Sequence, residues 1–266
     1  MHPILFQSPI FTIHTLWIFL AIAIIASMIS LIKLTIKNRL KIQFLSDNSF
    51  KIFLFALIGA RIFAIIANFH IYFTEISLQT FLQLFKIWDL GLNSWGAIAG
   101  IIIFLYIQTK KEDQNLQSWL DILIPSIIIG LAISHIGAFF DGIHYGHETS
   151  LPWGVNFENS AVKYAVPIHP TQIYAFLYSA AIATTLIFIN NLKKFQETPG
   201  LLAATGIVSY SSFYFLEQFL RGDDTIMIWI IRLPQILAAI TLLIGIKLLY
   251  KILTQNKKPL AKSKKK

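Results

Sequence analysis

The chain has 266 residues, 56% of them hydrophobic and only 13% charged, against roughly 25% charged in soluble domains. A water-soluble fold of this length cannot hide that much apolar surface, so the composition predicts an integral membrane protein. The net charge of +9 raises the question of nucleic acid, and the absence of cysteine excludes disulfides, thiolate metal sites and a cysteine nucleophile.

The first residues, MHPILFQSPIFTIHT, carry no Lys or Arg and no small-residue cleavage site, a pattern that predicts no removed signal peptide. Seven apolar stretches follow, near 16–36, 50–69, 93–108, 120–140, 172–190, 200–220 and 228–250. Each is long enough, or nearly so, to cross a ~30 Å hydrocarbon core as a helix. The third, WGAIAGIIIFLYIQ, is short and glycine-rich and needs its flanks or a tilt to span. The predicted fold is therefore all-α, with one seven-helix transmembrane domain over 1–253 and a basic tail over 254–266.

Charge sets the orientation. Lys33, Lys37, Arg39, Lys41 and Lys51 surround the first link, Lys110 and Lys111 lie in the third, and Lys193 and Lys194 in the fifth. Lysine dominates again from Lys247 to the end, whereas the alternate side holds only Lys86, Lys163 and Arg221. The positive-inside rule then places the N-terminus out, the C-terminus in, and the long links 70–92 and 141–171 on the outer face. The basic residues become a cytoplasmic skirt against anionic headgroups, at about 1 kcal/mol per charge, and no nucleic acid partner is expected. No internal repeat is evident, which counts against an inverted-repeat transporter.

Ionisable residues inside spans are expensive and demand a reason. Arg61 lies mid-span in LIGARIFAIIANF, where it either meets lipid phosphate or pairs with Asn68, Tyr72 or another helix. Asp121 opens the fourth span and reads as an N-terminal cap. His135 ends that helix, His169 precedes Pro170 at the start of the fifth, and Glu217, Gln218 and Arg221 close the sixth below Tyr210 and Tyr214. His135, Asp141, His144, His147, Glu148, His169 and Arg221 thus gather near the outer face, which predicts a polar cavity there. The pair His144 and His147 lacks the HExxH form of a zinc site, and no G-x-S-x-G nucleophile elbow exists. Neither metal nor cofactor is expected. Displacement at a phospholipid ester fits better, with Arg61, Arg221 and a partly protonated His135 as cations and neutral His135 or His169 as base.

These residues sit in motifs. GAFFDGIHYG followed by LPWGVNF, then HPTQIY and YSSFYFLEQFLRGDD, resembles the prolipoprotein diacylglyceryl transferase family. That family's signature runs approximately G-R-I-G-N-F-x-N-G-E-x-x-G, L-P-W-G-V-x-F, H-P-[ST]-Q-L-Y and Y-x-x-F-R-F-x-x-E-x-x-R. GARIFAIIANF, IWDLGLNSWGAIAG and DILIPSIIIGLAISHIG are similar to its upstream segments, with order and spacing kept to about residue 225. The resemblance implies a multi-pass enzyme of the bacterial plasma membrane that moves a diacylglyceryl group from phosphatidylglycerol to the lipobox cysteine in a preprolipoprotein signal-peptide region. On the transferase reading His135, His169 and Tyr210 are the catalytic candidates, and Arg61, Arg221, Gly137 and Gly146 the lipid-phosphate contacts. Asp141, His144, Gln172 and Trp95 would support them.

The departures fall on polar positions. His135 stands where the family has arginine, Ala138 and Asp141 where it has asparagine, and Ile143 where it has glutamate. Trp95 takes the place of a loop histidine, Tyr214 that of an arginine and Gln218 that of a glutamate. Exchanging arginine for histidine gives up a permanent bidentate charge. Two alternatives therefore stand beside the transferase: a same-fold enzyme with another lipid or acceptor, and a non-catalytic paralogue that binds lipid or lipoprotein.

Overall fold

The computed structural model describes residues 3–8, 12–69, 82–85, 91–157 and 162–255. Most of the expected loop 70–92, with Tyr72 and Lys86, and nearly all of the basic tail lie outside the described residues. The protein is mostly helical, and a helix overlaps each of the seven expected apolar stretches. A short hairpin, β1 (Ile4–Gln7) and β2 (Thr12–His14), leads into α1 (Thr15–Lys37), followed by α2 (Ile42–Ala67), α3 (Ser94–Lys111) and α4 (Leu116–Asp141). Then come α5 (Thr171–Ile189), the single turn α6 (Lys193–Gln196), α7 (Leu201–Glu217), a second hairpin of β3 (Met227–Ile228) and β4 (Ile231–Arg232), and α8 (Leu233–Gln255).

Five of these helices, α1, α2, α4, α5 and α8, are long and apolar enough to cross a membrane, as a multi-pass membrane protein requires. The 18 residues of α3 end in Gln108, Thr109, Lys110 and Lys111, and α7 has only 17 residues. The outward side chains Trp17, Ile24, Ile25 and Met28 on α1 and Leu243 and Ile244 on α8 are exposed and apolar, as lipid contact demands.

The chain divides into two compact units, one of Met1–Asn38 with Leu120–Lys266 and one of Arg39–Trp119. In the Arg39–Trp119 unit α2 and α3 are held together by glycine. A Cβ on Gly96 would strike the Gly59 carbonyl oxygen, and one on Gly100 would strike that of Phe55. Gly96 and Gly100 form the small-xxx-small pattern that lets membrane helices touch backbone to backbone. Asn93 starts α3 by accepting the Trp95 N–H at 2.9 Å.

In the larger unit Gly137 of α4 faces α1, where a Cβ would lie 2.6 Å from Phe19 Cβ. The core between α4, α5 and α7 is built on Ile124, Ile128, Ile182, Leu186 and Leu202. Asp121 corrects one expectation. It is a cap, but of another helix: buried on α4, it accepts the Gly200 N–H at 2.6 Å and the Ala203 N–H at 2.7 Å, closing the start of α7. A second correction concerns the last span, which begins at Leu233 rather than 228. Residues 227–232 are the β3–β4 hairpin, turned by Trp229 at φ 62°.

Candidate active site

Three sequence motifs far apart in the chain are knitted together by backbone hydrogen bonds at one end of the larger unit. After α4 the chain turns at Gly142, whose φ is 77°, and runs past His144 to Gly146. The Gly146 N–H donates to the His169 carbonyl at 3.1 Å, the His147 N–H to Leu220 at 2.9 Å, and the Gly222 N–H to Tyr145 at 2.9 Å. The His169 N–H returns to the His147 carbonyl at 2.9 Å. The loop after α4, the start of α5 and the end of α7 therefore form one platform.

The HPTQ segment fixes that platform from below. Thr171 Oγ1 donates to the His144 carbonyl at 2.6 Å, and Gln172 Nε2 to the Ile143 carbonyl at 2.8 Å. His144 stands at φ 64°, a left-handed conformation that a non-glycine residue rarely holds without such support. Gln172 is fully buried, and its Oε1 has no hydrogen-bond partner among the described residues.

On the platform lies a charge cluster. Arg221 donates from Nε to Asp223 Oδ1 at 2.8 Å, from Nη2 to Asp223 Oδ2 at 2.7 Å, and from Nη1 to Glu217 Oε1 at 3.0 Å. Its Nη2 also meets His144 Nδ1. Arg232 joins from the base of the second hairpin, donating from Nη2 to Asp223 Oδ1 at 2.8 Å, from Nη1 to the Arg221 carbonyl at 3.2 Å and from Nε to Gln218 Oε1 at 3.3 Å. The family's glutamate position holds Gln218 here, and the carboxylate facing Arg221 belongs to its neighbour Glu217. Tyr178 donates to the other Glu217 oxygen at 2.7 Å, and its ring meets Tyr210 edge-on at 5.7 Å. Tyr210 in turn stacks on Tyr214 at 6.0 Å.

The site residues read from sequence are thus partly gathered. His135 is buried on α4, within electrostatic reach of His144 and Arg221, and its Nε2 has no hydrogen-bond partner among the described residues. His169 presents Nδ1 to the Tyr174 hydroxyl at 3.2 Å, and Trp153 Nε1 donates to the same hydroxyl at 2.7 Å. Asp141 faces His14 at 3.7 Å. Gly146 admits the backbone of His169 and of Leu220, and Gly137 admits α1. Arg61 and Trp95 belong to the Arg39–Trp119 unit. There Arg61 is buried and donates to the carbonyls of Gln83 at 2.8 Å, Leu84 at 2.9 Å and Gly91 at 3.3 Å, so it gathers loop backbone. Asp223 and Tyr178 join the site without a motif to announce them, and so does Arg232, an arginine that the sequence puts inside an apolar span. An arginine in an otherwise apolar run and the R-G-D-D turn were the available signals.

Burial alone would raise the Asp223 pKa, but hydrogen bonds from Arg221 and His144 and the charge of Arg221 outweigh it and hold the carboxyl well below its usual range. A carboxylate depressed in the folded state adds stability above its unfolded value, and that share disappears as pH falls. Unfolding of the solubilised chain followed by circular dichroism should therefore lose stability below about pH 4, and Asp223→Asn should flatten that limb. An unchanged acid limb in the variant would contradict the pairing.

A model of the prolipoprotein diacylglyceryl transferase family matches residues 3–251. The phosphatidylglycerol–prolipoprotein diacylglyceryl transferase 1 of Streptomyces coelicolor is 30% identical over 207 residues, covering 77% of this chain and 58% of that relative. The enzyme of the same name from Streptomyces griseus is 28% identical, covering 73% and 61%. That of Prochlorococcus marinus is 28% identical over 228 residues, covering 80% and 76%. The matched region thus spans about three fifths of the Streptomyces proteins' length.

Proposed function

This chain belongs to the prolipoprotein diacylglyceryl transferase family, and we propose that it transfers a diacylglyceryl group from phosphatidylglycerol to the lipobox cysteine of a preprolipoprotein. The observation that carries the reading is the convergence of the family's three motifs on one platform, where Gly146 pairs with Arg221 and His169 N–H with His147. In the proposed reaction the cysteine sulfur attacks the glyceryl carbon that bears the phosphate ester. The C–O bond breaks, and its electron pair leaves with glycerol phosphate. His135 Nε2, buried and unpartnered among the described residues, takes the thiol proton. His169, oriented by Tyr174 and Trp153, and Tyr210, stacked beneath the cluster, position the substrate. The thiol comes from the substrate, which suits a chain without cysteine.

The same reading places seven spans in the bacterial plasma membrane as one domain over 1–253, with the N-terminus and the platform outside and the basic tail inside. Arg61 remains the proposed contact for lipid phosphate in the Arg39–Trp119 unit. One observation favours a second reading, a lipid-binding paralogue without turnover: Arg221 is engaged by two carboxylates of its own chain.

The test is complementation. Expressed in bacterial cells depleted of their own transferase, the chain should restore growth and lipidation of a lipobox reporter, and His135→Ala should abolish both. Correct membrane insertion without reporter lipidation would sink the transferase reading and leave the second one.

A further inference from the structure

We propose that Asp223 is an internal competitor for phosphate, seated between Arg221 and Arg232 until a phosphate-bearing ligand displaces it. The inference deepens the transferase reading and rests on it for the identity of the ligand. Its first support is the set of contacts. The Asp223 carboxylate is held by the Arg221 fork at 2.8 and 2.7 Å and by Arg232 at 2.8 Å, with His144 Nδ1 3.5 Å from Oδ2. One guanidinium fork, a second guanidinium and an imidazole are the partners that a bound phosphate group takes.

The second support is where the competitor sits. Glu217 ends α7 and is fixed by that helix and by Tyr178. Asp223 lies beyond Gly222, in a stretch without helix or strand that ends at β3. Rotation of that stretch withdraws the carboxylate without unwinding a helix. Charge gives the third. Arg221, Arg232, Glu217 and Asp223 sum to zero, so withdrawal leaves one net positive charge, the complement of a phosphodiester monoanion. Finally, the Gln218 Nε2 amide is buried beside this cluster with no acceptor among the described residues, although its Oε1 is taken by Arg232. A phosphate oxygen would give that donor the partner it lacks.

The experiment uses the full chain in detergent and reads ligand-induced shifts of its unfolding midpoint, so a change in basal stability cannot imitate binding. One arm titrates inorganic phosphate against chloride at matched ionic strength. The other dopes the micelles with phosphatidylglycerol against phosphatidylcholine. Asp223→Asn is expected to bind at least about fivefold tighter than the unmodified chain, and Asp223→Ser should reproduce the gain. Adding Arg232→Gln to Asp223→Asn should remove it. A gain in both arms supports a site for the phosphate group from either source. A gain with the lipid alone assigns it to a headgroup, and one with free phosphate alone to a soluble phosphate-bearing ligand. No gain in either arm, weaker binding by Asp223→Asn, or a gain that survives Arg232→Gln would each overturn the proposal. Because no turnover is needed, a failure to lipidate the reporter and a failure to bind phosphate are separate results.

Discussion

Replacing Arg221 with alanine is expected to lower folding stability by about 3–5 kcal/mol, the cost of breaking a buried ion pair from one side. Its side chain is 6% exposed, against 3% for Glu217 and 15% for Asp223. Without the guanidinium, Glu217 keeps only the Tyr178 hydroxyl and Asp223 only Arg232 and His144 among the contacts described. Both carboxylates would then stay in a poorly hydrated place with one of the two arginine charges gone. Lysine at 221 should recover only part of the loss, because a single ammonium cannot span Glu217 and both oxygens of Asp223. Arg221→Met combined with Glu217→Met should recover more, since exchanging both partners for apolar groups leaves fewer buried charges unpaired. Chemical unfolding in detergent measures each variant. A loss below about 1 kcal/mol for Arg221→Ala would put this pair among exposed ones and contradict the burial described.

The helical segments are legible in the sequence as long apolar runs, and five of them are long and apolar enough to meet the crude requirement that a bilayer imposes. The apolar stretch 50–69 marks the end of α2 closely but not its start. Residues 42–49 are polar in part (IQFLSDNS) yet helical, and Asn48 bonds both the Phe44 carbonyl and Glu112. The hairpin at 227–232 is hidden in the sequence for the opposite reason. Its run of Met, Ile and Trp is as apolar as a span, and its turn uses Trp229 at φ 62° instead of the glycine or asparagine that announces such turns. At the site, the motif residues gave the platform, since glycine and His-Pro placements are local requirements. The charge pairing was hidden because it joins residues by approach in space. Glu217 took up the position facing Arg221 although Gln218 occupies the family's glutamate slot, and Arg232 reached Asp223 across a hairpin that periodicity did not reveal. Asp121 shows the same limit. Its type announced a cap, but only the packing of α4 against α7 says which helix it closes.

Gly146→Ala is the sharper test of whether that platform matters to function. A Cβ there would lie 2.5 Å from His169 Cβ, 2.6 Å from the His169 carbonyl oxygen and 2.9 Å from that of Leu220. Two of these atoms are backbone, fixed by the hydrogen bonds that join the loop after α4 to α5 and α7, so no side-chain rotation relieves the clash. The loop must move outward, carrying His144 away from Arg221 and loosening His169. Overpacking of this kind costs about 1–3 kcal/mol in stability. The functional cost should be larger, because displacing reacting groups by about an ångström can reduce turnover about 10²-fold. Gly154→Ala provides the control within the same loop region. Its nearest neighbours would be the side-chain atoms Pro167 Cβ and Thr149 Cγ2, both at 2.9 Å, and the Leu151 carbonyl at 3.2 Å. A threonine methyl can yield where a backbone carbonyl cannot. Reporter lipidation by the two variants at equal membrane abundance should therefore fall far more for Gly146→Ala than for Gly154→Ala. Equal losses would mean that the crossing at Gly146 positions nothing the reaction uses.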